Sequence, residues 1–518
     1  MGRNLVVCCD GTWNNPQQED NGVPAATNVV RLYHALSAEH QGVAQLRYYH
    51  PGLGGEDSGI KDAILGGALG VGICRHICSA YHWLAQQYQP GDHILLFGFS
   101  RGAFTVRSLA GMLAYGLLKL PDDDSRSWAL VEQLYQQGYR AANAHWAQGK
   151  HLAWHHDGGP APVAFLGVWD TVGALGIPDD MALLDLFDSS EHWGFHDQSL
   201  GSNVSVARHG MALDERRSSF TVCRWDNLAA RGGNVQECWF PGVHADVGGG
   251  YGECDLSNRA LAWMLEQAEP YLGLRPDWRE LLPADAGGVM HNSCKGLFAR
   301  LRTRPRNIPL IDADSELPAW EAIDYSVFQR QQRSPLALPP YYPHQPLAVN
   351  ARCETEVFAD TRWNDTRLYL PAGRYCFAAK GQWQDGRDSC DWRGTEDGKR
   401  TLGDIARLTG AFWGKFESLL RRITGNDKAD LYGTRRHGDI PWFRMVGVIT
   451  NDMGLQSGPV VGNDGSPRPH QYVDLTLHDA DNPLELQHGG YLFAYANDAW
   501  SMYDNNHGAI TLRVTRLA

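Results

Sequence analysis

The chain has no lysine-rich tract, and its 46 Lys and Arg are outnumbered by 59 Asp and Glu, which leaves a formal charge of −13. That balance argues against a nucleic-acid partner. It leaves a membrane substrate open, because interfacial enzymes can use apolar contacts in place of a basic patch. No C-x-x-C occurs. Eleven cysteines are scattered along the chain: Cys8, Cys9, Cys74, Cys78, Cys223, Cys238, Cys254, Cys294, Cys353, Cys376 and Cys390. The odd number and the scatter suggest a chain made in a reducing cytoplasm, with thiols serving as small buried hydrophobes. Cys376 and Cys390 would be the pair to form in an oxidising compartment. Near the N-terminus there is no apolar stretch of signal-peptide kind, and position 6 is Val6 where myristoylation wants Ser or Thr. The most apolar stretch, Ala63 to Ile73, is too short to span a bilayer. The expectation is a soluble protein made in the cytoplasm without a signal peptide, whose export, if any, needs no cleavable signal. Repeats and low-complexity tracts are also missing. At 43% hydrophobic and 20% charged, the 518 residues have the composition of two or three ordinary globular domains.

What the chain does have is Gly98-Phe99-Ser100-Arg101-Gly102, placed between the apolar run Ile94-Leu95-Leu96-Phe97 and Ala103-Phe104-Thr105-Val106. The order is buried strand, sharp turn, helix. A G-x-S-x-G turn in that setting is a nucleophile elbow, in which the glycines allow strand and helix to approach and the serine is held out above the sheet. The helix dipole behind it favours developing negative charge. A glycine-flanked turn carrying an ordinary serine has the same five residues.

The first half alternates strands and helices. Strands are read at 5–9, 45–50, 93–97, 163–168 and 238–243. Helices are read at 27–37, 61–86, 103–118, 127–147 and 257–272. Short apolar strands alternating with helices imply a mainly parallel sheet covered on both faces. The proline-dense segment 334–346 reads as a connector. Beyond it, short strand-like runs at 367–370, 374–379, 443–449, 471–477, 491–496 and 509–514 suggest an all-β sandwich, interrupted by a helix-like insertion at 402–420. The predicted organisation is therefore an α/β-hydrolase-type domain over residues 1–346 and a β-sandwich over 347–518. The stretch Asp277 to Arg333 reads as a lid or a helical cover.

A serine nucleophile needs a base, and the base needs an orienting acid. In α/β-hydrolases the chain order is Ser, Asp or Glu, then His, each just beyond a strand. Asp170 follows the run Val163 to Trp169, and His244 follows Trp239-Phe240-Pro241-Gly242-Val243 and precedes Ala245-Asp246-Val247-Gly248-Gly249-Gly250-Tyr251. Asp170 also fits a capped turn, and His244 also fits a packed loop histidine. His209 is a rival base, and Asp214 and Asp246 are rival acids. One oxyanion donor is expected at the backbone of Arg101, the residue after the nucleophile. The second is expected from the loop Asp10-Gly11-Thr12, at Gly11 or Thr12, although those residues equally fit a plain strand-end turn. This chemistry needs no metal.

Four ordered blocks carry a family resemblance. Cys9-Asp10-Gly11-Thr12-Trp13-Asn14, Gly98 to Phe104, Val168-Trp169-Asp170-Thr171-Val172-Gly173 and Phe240 to Tyr251 resemble a bacterial and fungal family of uncharacterised α/β-hydrolase domains. That family includes the type VI secretion phospholipase effectors of the Tle1 class. The resemblance covers about residues 3 to 346, with fainter echoes at His291-Asn292-Ser293 and in the Tyr- and Pro-rich stretch before Pro346. It implies Ser100 as nucleophile, Asp170 as acid and His244 as base. Further along, Ala378-Ala379-Lys380-Gly381-Gln382-Trp383 and Tyr495-Ala496-Asn497-Asp498 through Tyr503-Asp504-Asn505-Asn506-His507-Gly508 resemble small calcium-dependent galactose-binding lectins of the PA-I type. That second resemblance implies a calcium ion held by Asp498, Asn505 and Asn506, with a glycan or surface ligand; Asp385 and Asp388 are additional acidic groups nearby. Asn- and Asp-rich loops also arise simply because these residues tolerate turn geometry.

The expected function is a serine esterase acting on lipids, a phospholipase A or lysophospholipase delivered by type VI secretion into the periplasm of target cells. A secretion-apparatus component and an immunity protein would be its partners. A carboxylesterase or polyester hydrolase is the alternative enzyme. A carbohydrate- or surface-binding protein built on a hydrolase scaffold is the alternative of another class.

Overall fold

The computed structural model describes residues 2–518 except 12–13, 15, 53–67, 157–158, 174–198, 296–301, 315, 387, 396–435, 452–469 and 501. Its first unit is one eight-stranded sheet. The strands are β1 (Asn4–Cys9), β2 (Val43–His50), β3 (His93–Phe99), β4 (Val163–Trp169), β5 (Val204–Ala212), β6 (Val235–Phe240) and β7 (Glu321–Ile323), in the spatial order β7-β6-β5-β4-β3-β1-β2. These neighbours all pair in parallel. A two-residue strand, Glu39–His40, closes the far edge antiparallel to β2.

The sheet is parallel because its central strands are apolar on both sides. Along β1, Leu5, Val7 and Cys9 enter one core while Val6 and Cys8 enter the other. A strand alternates its side chains, so two apolar sets on one strand require a cover on each face. One cover is α2 (Ala68–Gln87) with α3 (Arg101–Leu113), through Ile77, Tyr81, Val106 and Leu109. The other is α1 (Asn28–Ala35) with α6 (Asp255–Ala268), through Val29, Leu32, Leu261 and Met264. The expected α/β architecture is therefore the observed one. The reading of 127–147 as one helix needs correction. Helix α4 (Asp124–Gln133) widens into a π turn over Leu134–Tyr139, whose last ring lies against Gly111 of α3, and turns follow. Residues 61–67 and the insertion at 402–420 lie outside the described residues.

The second unit is two facing sheets. One has the order Gln345–Pro346, β9 (Asn364–Leu370), β13 (Gly490–Ala496), β11 (Met445–Asn451), β12 (Gln471–Asp474). The other has β8 (Arg352–Phe358), β14 (Asn506–Arg516), β10 (Gly373–Asp385) and Asp388–Cys390, with Leu484–Leu486 also on β10. Leu370, Met445 and Leu492 from the first sheet share a core with Val357, Phe377 and Leu512 from the second, the arrangement of a sandwich. Gln345 and Pro346, at the end of the connector, already pair with Leu368 and Tyr369. All eleven cysteines are free, Cys376 and Cys390 included.

Between the two units runs a strap, residues 302–311. It is extended rather than helical, which corrects the idea of a helical cover for this part of 277–333. Helix α7 (Tyr325–Arg333) is the only α-helix among the described residues of that stretch.

Candidate active site

Ser100 sits between β3 and α3 with φ 57° and ψ −122°, a left-handed conformation that costs a non-glycine residue on the order of 1–3 kcal/mol. The glycines of the turn explain how it is sustained. A Cβ on Gly98 would stand 2.5 Å from the Gly102 carbonyl oxygen, and one on Gly102 would stand 2.1 Å from the Cys9 carbonyl oxygen. Strand β3, helix α3 and strand β1 thus converge on backbone alone. The Ser100 N–H donates to the Trp169 carbonyl at 3.0 Å, tying the elbow to the end of β4.

Asp170 follows β4 directly and also has positive φ, 37°. Its carboxylate is fully buried. Oδ1 accepts from the Ala212 N–H at 2.9 Å, and Oδ2 lies 2.6 Å from His244 Nδ1. His244 opens the short helix α5 (His244–Gly248), and its backbone N–H donates to Glu215 Oε2 at 3.2 Å. Phe99 and Phe220 flank the ring, with centroids at 4.6 and 4.9 Å. Gly248 makes room for Phe99, since a Cβ there would be 1.9 Å from that ring. The structure therefore brings Asp170 and His244 into contact beside the elbow. Ser100 Oγ makes no hydrogen bond to the ring in this ligand-free geometry, in which catalytic contacts are commonly loose.

The electrostatics set the roles. Burial would raise Asp170, but the Arg306 guanidinium and the His244 hydrogen bond overcome it and hold the carboxyl well below its usual range. Burial lowers His244 despite the opposing pull of Asp170, and the Arg217 charge lowers it further. A neutral ring donating from Nδ1 to Asp170 leaves Nε2 as an acceptor, which is the form a base requires.

The rivals are occupied elsewhere. His209 Nε2 accepts from the Thr171 N–H at 3.1 Å and its Nδ1 faces Glu237 at 3.2 Å, within a buried group that includes Arg224. Asp246 accepts from the Val243 N–H and holds His291 Nδ1 at 2.6 Å. Asp214 accepts from the Gly242 N–H at 2.7 Å, and burial pushes its carboxyl up to about 6.

Arg101 opens α3, the end of a helix whose N–H groups point outward. Gly11 lies close to the elbow serine, its added Cβ 3.0 Å from Ser100 Cβ. Its N–H, however, donates to Asp10 Oδ1 at 2.8 Å, so an oxyanion would have to displace that carboxylate. Asp10 also accepts from Thr27 and Tyr49 and is raised by burial to about 6. Thr12 lies outside the described residues. In the sandwich, Asp498 Oδ2 accepts from Asn506 Nδ2 at 2.9 Å, while the Asn505 amide turns to Asp385 Oδ1 at 3.1 Å. Asp498 and Asn506 are bonded to each other, and Asn505 is bonded to Asp385.

Sequence reasoning missed Arg306, whose Nη1 and Nη2 reach Asp170 Oδ1 and Oδ2 at 2.7 and 2.9 Å. It also missed strands β5 and β8. Strand β5 includes Ser205, Arg208 and His209, which break the apolar run. The signal for β5 lay in Val204, Val206, Ala207 and Met211. No pattern surrounds Pro305-Arg306 that would mark it.

Residues 3–267 match the family described as "T6SS, Phospholipase effector Tle1-like, catalytic domain". A Saccharomyces cerevisiae protein, uncharacterized protein YEL023C, is 31% identical over 237 residues, covering 42% of this chain and 32% of the relative. The chain thus spans about a third of the length of that curated relative. Among solved structures, an uncharacterized protein from Pseudomonas aeruginosa is 19% identical, with 55% of this chain and 49% of that chain covered and a TM-score of 0.33. The Tle1 effector bound to the VgrG spike from the type 6 secretion system is 18% identical, with 49% and 52% covered and a TM-score of 0.27. Among the described residues, no helix is long and apolar enough to cross a membrane.

Proposed function

The chain belongs to the family of type VI secretion phospholipase effectors with a Tle1-like catalytic domain, and from that premise we propose that it is a serine lipid esterase, a phospholipase A or lysophospholipase, working through Ser100, His244 and Asp170. The observation that carries this reading is the 2.6 Å contact of His244 Nδ1 with Asp170 beside an elbow serine at φ 57°. His244 Nε2 takes the Ser100 proton as the hydroxyl attacks the ester carbonyl. Asp170 keeps the imidazole in one tautomer and stabilises its cation. The tetrahedral oxyanion is held by the Arg101 N–H and by a second donor on the loop after β1. His244 then protonates the leaving alcohol, and water releases the acyl group by the same route in reverse. Each step is proton and acyl transfer between these residues, substrate and water. Delivery into rival cells, with a secretion-apparatus partner, follows from the family's role and is part of the proposal.

The test is fatty-acid release from mixed phospholipid vesicles by the wild type and Ser100→Ala, with a short-chain nitrophenyl ester as control. The wild type is expected to release fatty acid, and the variant to lose a thousandfold or more. Hydrolysis of the short ester alone would keep the triad and remove the membrane target. Equal rates in the two proteins would remove the serine mechanism.

A further inference from the structure

The residues proposed for catalysis all lie within the family match, 3–267, yet the acid among them is gripped by a side chain from beyond it. Arg306 makes four hydrogen bonds. Two go to the Asp170 oxygens, one to the Ala212 carbonyl and one to the Phe220 carbonyl, both of the latter at 2.6 Å. A fork of this kind fixes a carboxylate in plane and rotation as well as in charge. Ala212 ends β5, and Phe220 carries the ring that flanks His244, so one guanidinium aligns three parts of the site.

Arg306 is held in turn by the strap, and the strap is held from both sides. On the hydrolase side, the Arg304 N–H donates to the Arg216 carbonyl at 2.6 Å, and the Ser218 N–H donates to the Arg302 carbonyl at 3.2 Å. On the sandwich side, His470 Nε2 donates to the Pro305 carbonyl at 2.6 Å, and Trp363 Nε1 donates to Thr303 Oγ1 at 2.9 Å. Tyr491 OH donates to the Pro309 carbonyl and accepts from the Ile311 N–H, both at 2.8 Å. Ile308 packs into both cores at once. His470 is buried, and burial lowers it to about 3, so it stays neutral and keeps one ring N–H for Pro305. A cavity of about 490 Å³ adjoins the strap, walled by Glu215 and Arg306 on one side and by Tyr491 and Phe493 on the other. Beside that space the strap is held by these hydrogen bonds and by the packing of Ile308 and Ile311.

We propose that Arg306 is a positioning residue for the triad acid and that the C-terminal sandwich, by clamping residues 303–311, sets whether the triad is aligned. This rests on the serine-esterase reading above. The sandwich is then a working part of the catalytic centre, and a partner that shifts it would tune activity through the strap. The charged groups acting on His244 are Asp170 after β4 and Glu215 and Arg217 after β5; Arg306 on the strap reaches it through Asp170, and His209 lies behind Thr171, which follows Asp170. Removing the Arg306 charge leaves Asp170 free to hold the imidazolium more strongly, so the His244 midpoint rises.

The experiment uses the full chain, with Arg306→Met, Arg306→Lys, Tyr491→Phe and the double variant Arg306→Lys/Tyr491→Phe. Arg306→Met is expected to lower kcat about a hundredfold, the scale of a small misplacement in a catalytic site, with KM within about twofold. Lysine keeps the charge without the fork, and should restore about tenfold of that loss. Tyr491→Phe removes one hydroxyl and should lower kcat severalfold. In the Arg306→Lys background it should add little, because both changes act through one contact. The acid limb of the rate profile, and the His244 midpoint followed by NMR, should move upward in Arg306→Met. Where Arg306→Met fails to fold, the lysine variant and the two-residue cycle decide. Independent, multiplying effects of the two changes, or an unmoved His244 midpoint with the loss matched by fewer titratable Ser100 sites, would overturn the proposal. A wild type inert to every ester would instead overturn the esterase reading. The NMR midpoint needs no turnover and still judges the strap.

Discussion

Ser100 and Asp170 end adjacent parallel strands, and both hold positive φ, 57° and 37°. They are kept there by opposite means. Ser100 is held by backbone and by missing side chains: Gly98 and Gly102 let β3, α3 and β1 meet within a few residues of the serine. Asp170 is held by side-chain and backbone groups 42, 74 and 136 residues away in sequence: Ala212, His244 and Arg306. The Ser100 side is a local device. The acid side is an assembly that forms only when the sheet, the segment from Leu213 to Phe220 and the strap have all come together. Damage to the two sides should therefore differ in kind as well as in size.

The largest effect is expected on the acid side. Asp170→Asn would break the imidazole orientation and cost on the order of 10⁴ in kcat, the scale known for such a change in a serine triad. It would also leave Arg306 buried without its counter-charge, which destabilises by about 3–5 kcal/mol. Kinetics and urea unfolding on the same sample read both losses. Ser100→Ala should lose a thousandfold or more in activity with almost no change in unfolding free energy, because the serine's side chain holds nothing together. Equal stability losses in the two variants would erase the contrast.

The same contrast governs what could be read in the sequence. The elbow was legible because its cause is local: two glycines, an apolar strand before and a helix after. The family blocks at Asp10, Asp170 and His244 are likewise short and contiguous, and the alternation of 5–9 and 93–97 with helices announced the parallel sheet. Strand β5 was missed because Arg208 and His209 look polar in sequence, although Gln267 and Glu237 satisfy them in the fold. Strand β8, Arg352–Phe358, was missed because Glu354 and Glu356 alternate with less polar residues on a sheet edge. Arg306 could not be seen at all. Its meaning lies in a carboxylate 136 residues away, and no spacing rule connects them.

A smaller effect separates activity from stability by pH. His244 is lowered by burial, so its base form persists below the ordinary 6.5, and kcat/KM should stay level as pH falls through that value. Stability should behave differently. In the folded protein burial lowers His76 in the first unit to about 3, and His437 and His470 in the second to about 4 and about 3, while in the unfolded chain all three take protons near 6.5. Through these groups the unfolded state binds more protons, and the stability they contribute is lost as pH drops from about 6.5 toward 4; Asp10 and Asp214, raised to about 6, act in the opposite sense, and the three histidines outweigh the two carboxylates. Asp170 has its folded value depressed, so its contribution is present above about 3.8 and is lost only at lower pH. Over pH 7 to 5 the unfolding free energy should fall while kcat/KM holds. A rate that tracks the stability curve would mean that opening of the fold limits activity.

The smallest expected effect concerns the Asn- and Asp-rich loop at 498–506. Asp498 and Asn506 are buried and bonded to each other, Asp498 Oδ1 already accepts from the Ala499 N–H, and Asn505 is turned to Asp385. The carboxylate's acceptors are thus met by N–H donors, and an ion would have to displace them and rotate the Asn506 amide. A calcium ion binding only the folded state raises stability by mass action. With those bonds to break first, millimolar calcium should shift Tm by less than about 2 °C, on the scale where 1 kcal/mol moves a domain of this size by 2–4 °C. A shift of several degrees that Asp498→Asn abolishes would instead establish an oxygen-ligand site there. The sandwich would then carry a ligand function besides its grip on the strap. If neither calcium nor Asp498→Asn moves Tm or kcat while Tyr491→Phe lowers kcat, the contribution of this unit to activity lies on the face that touches residues 303–311.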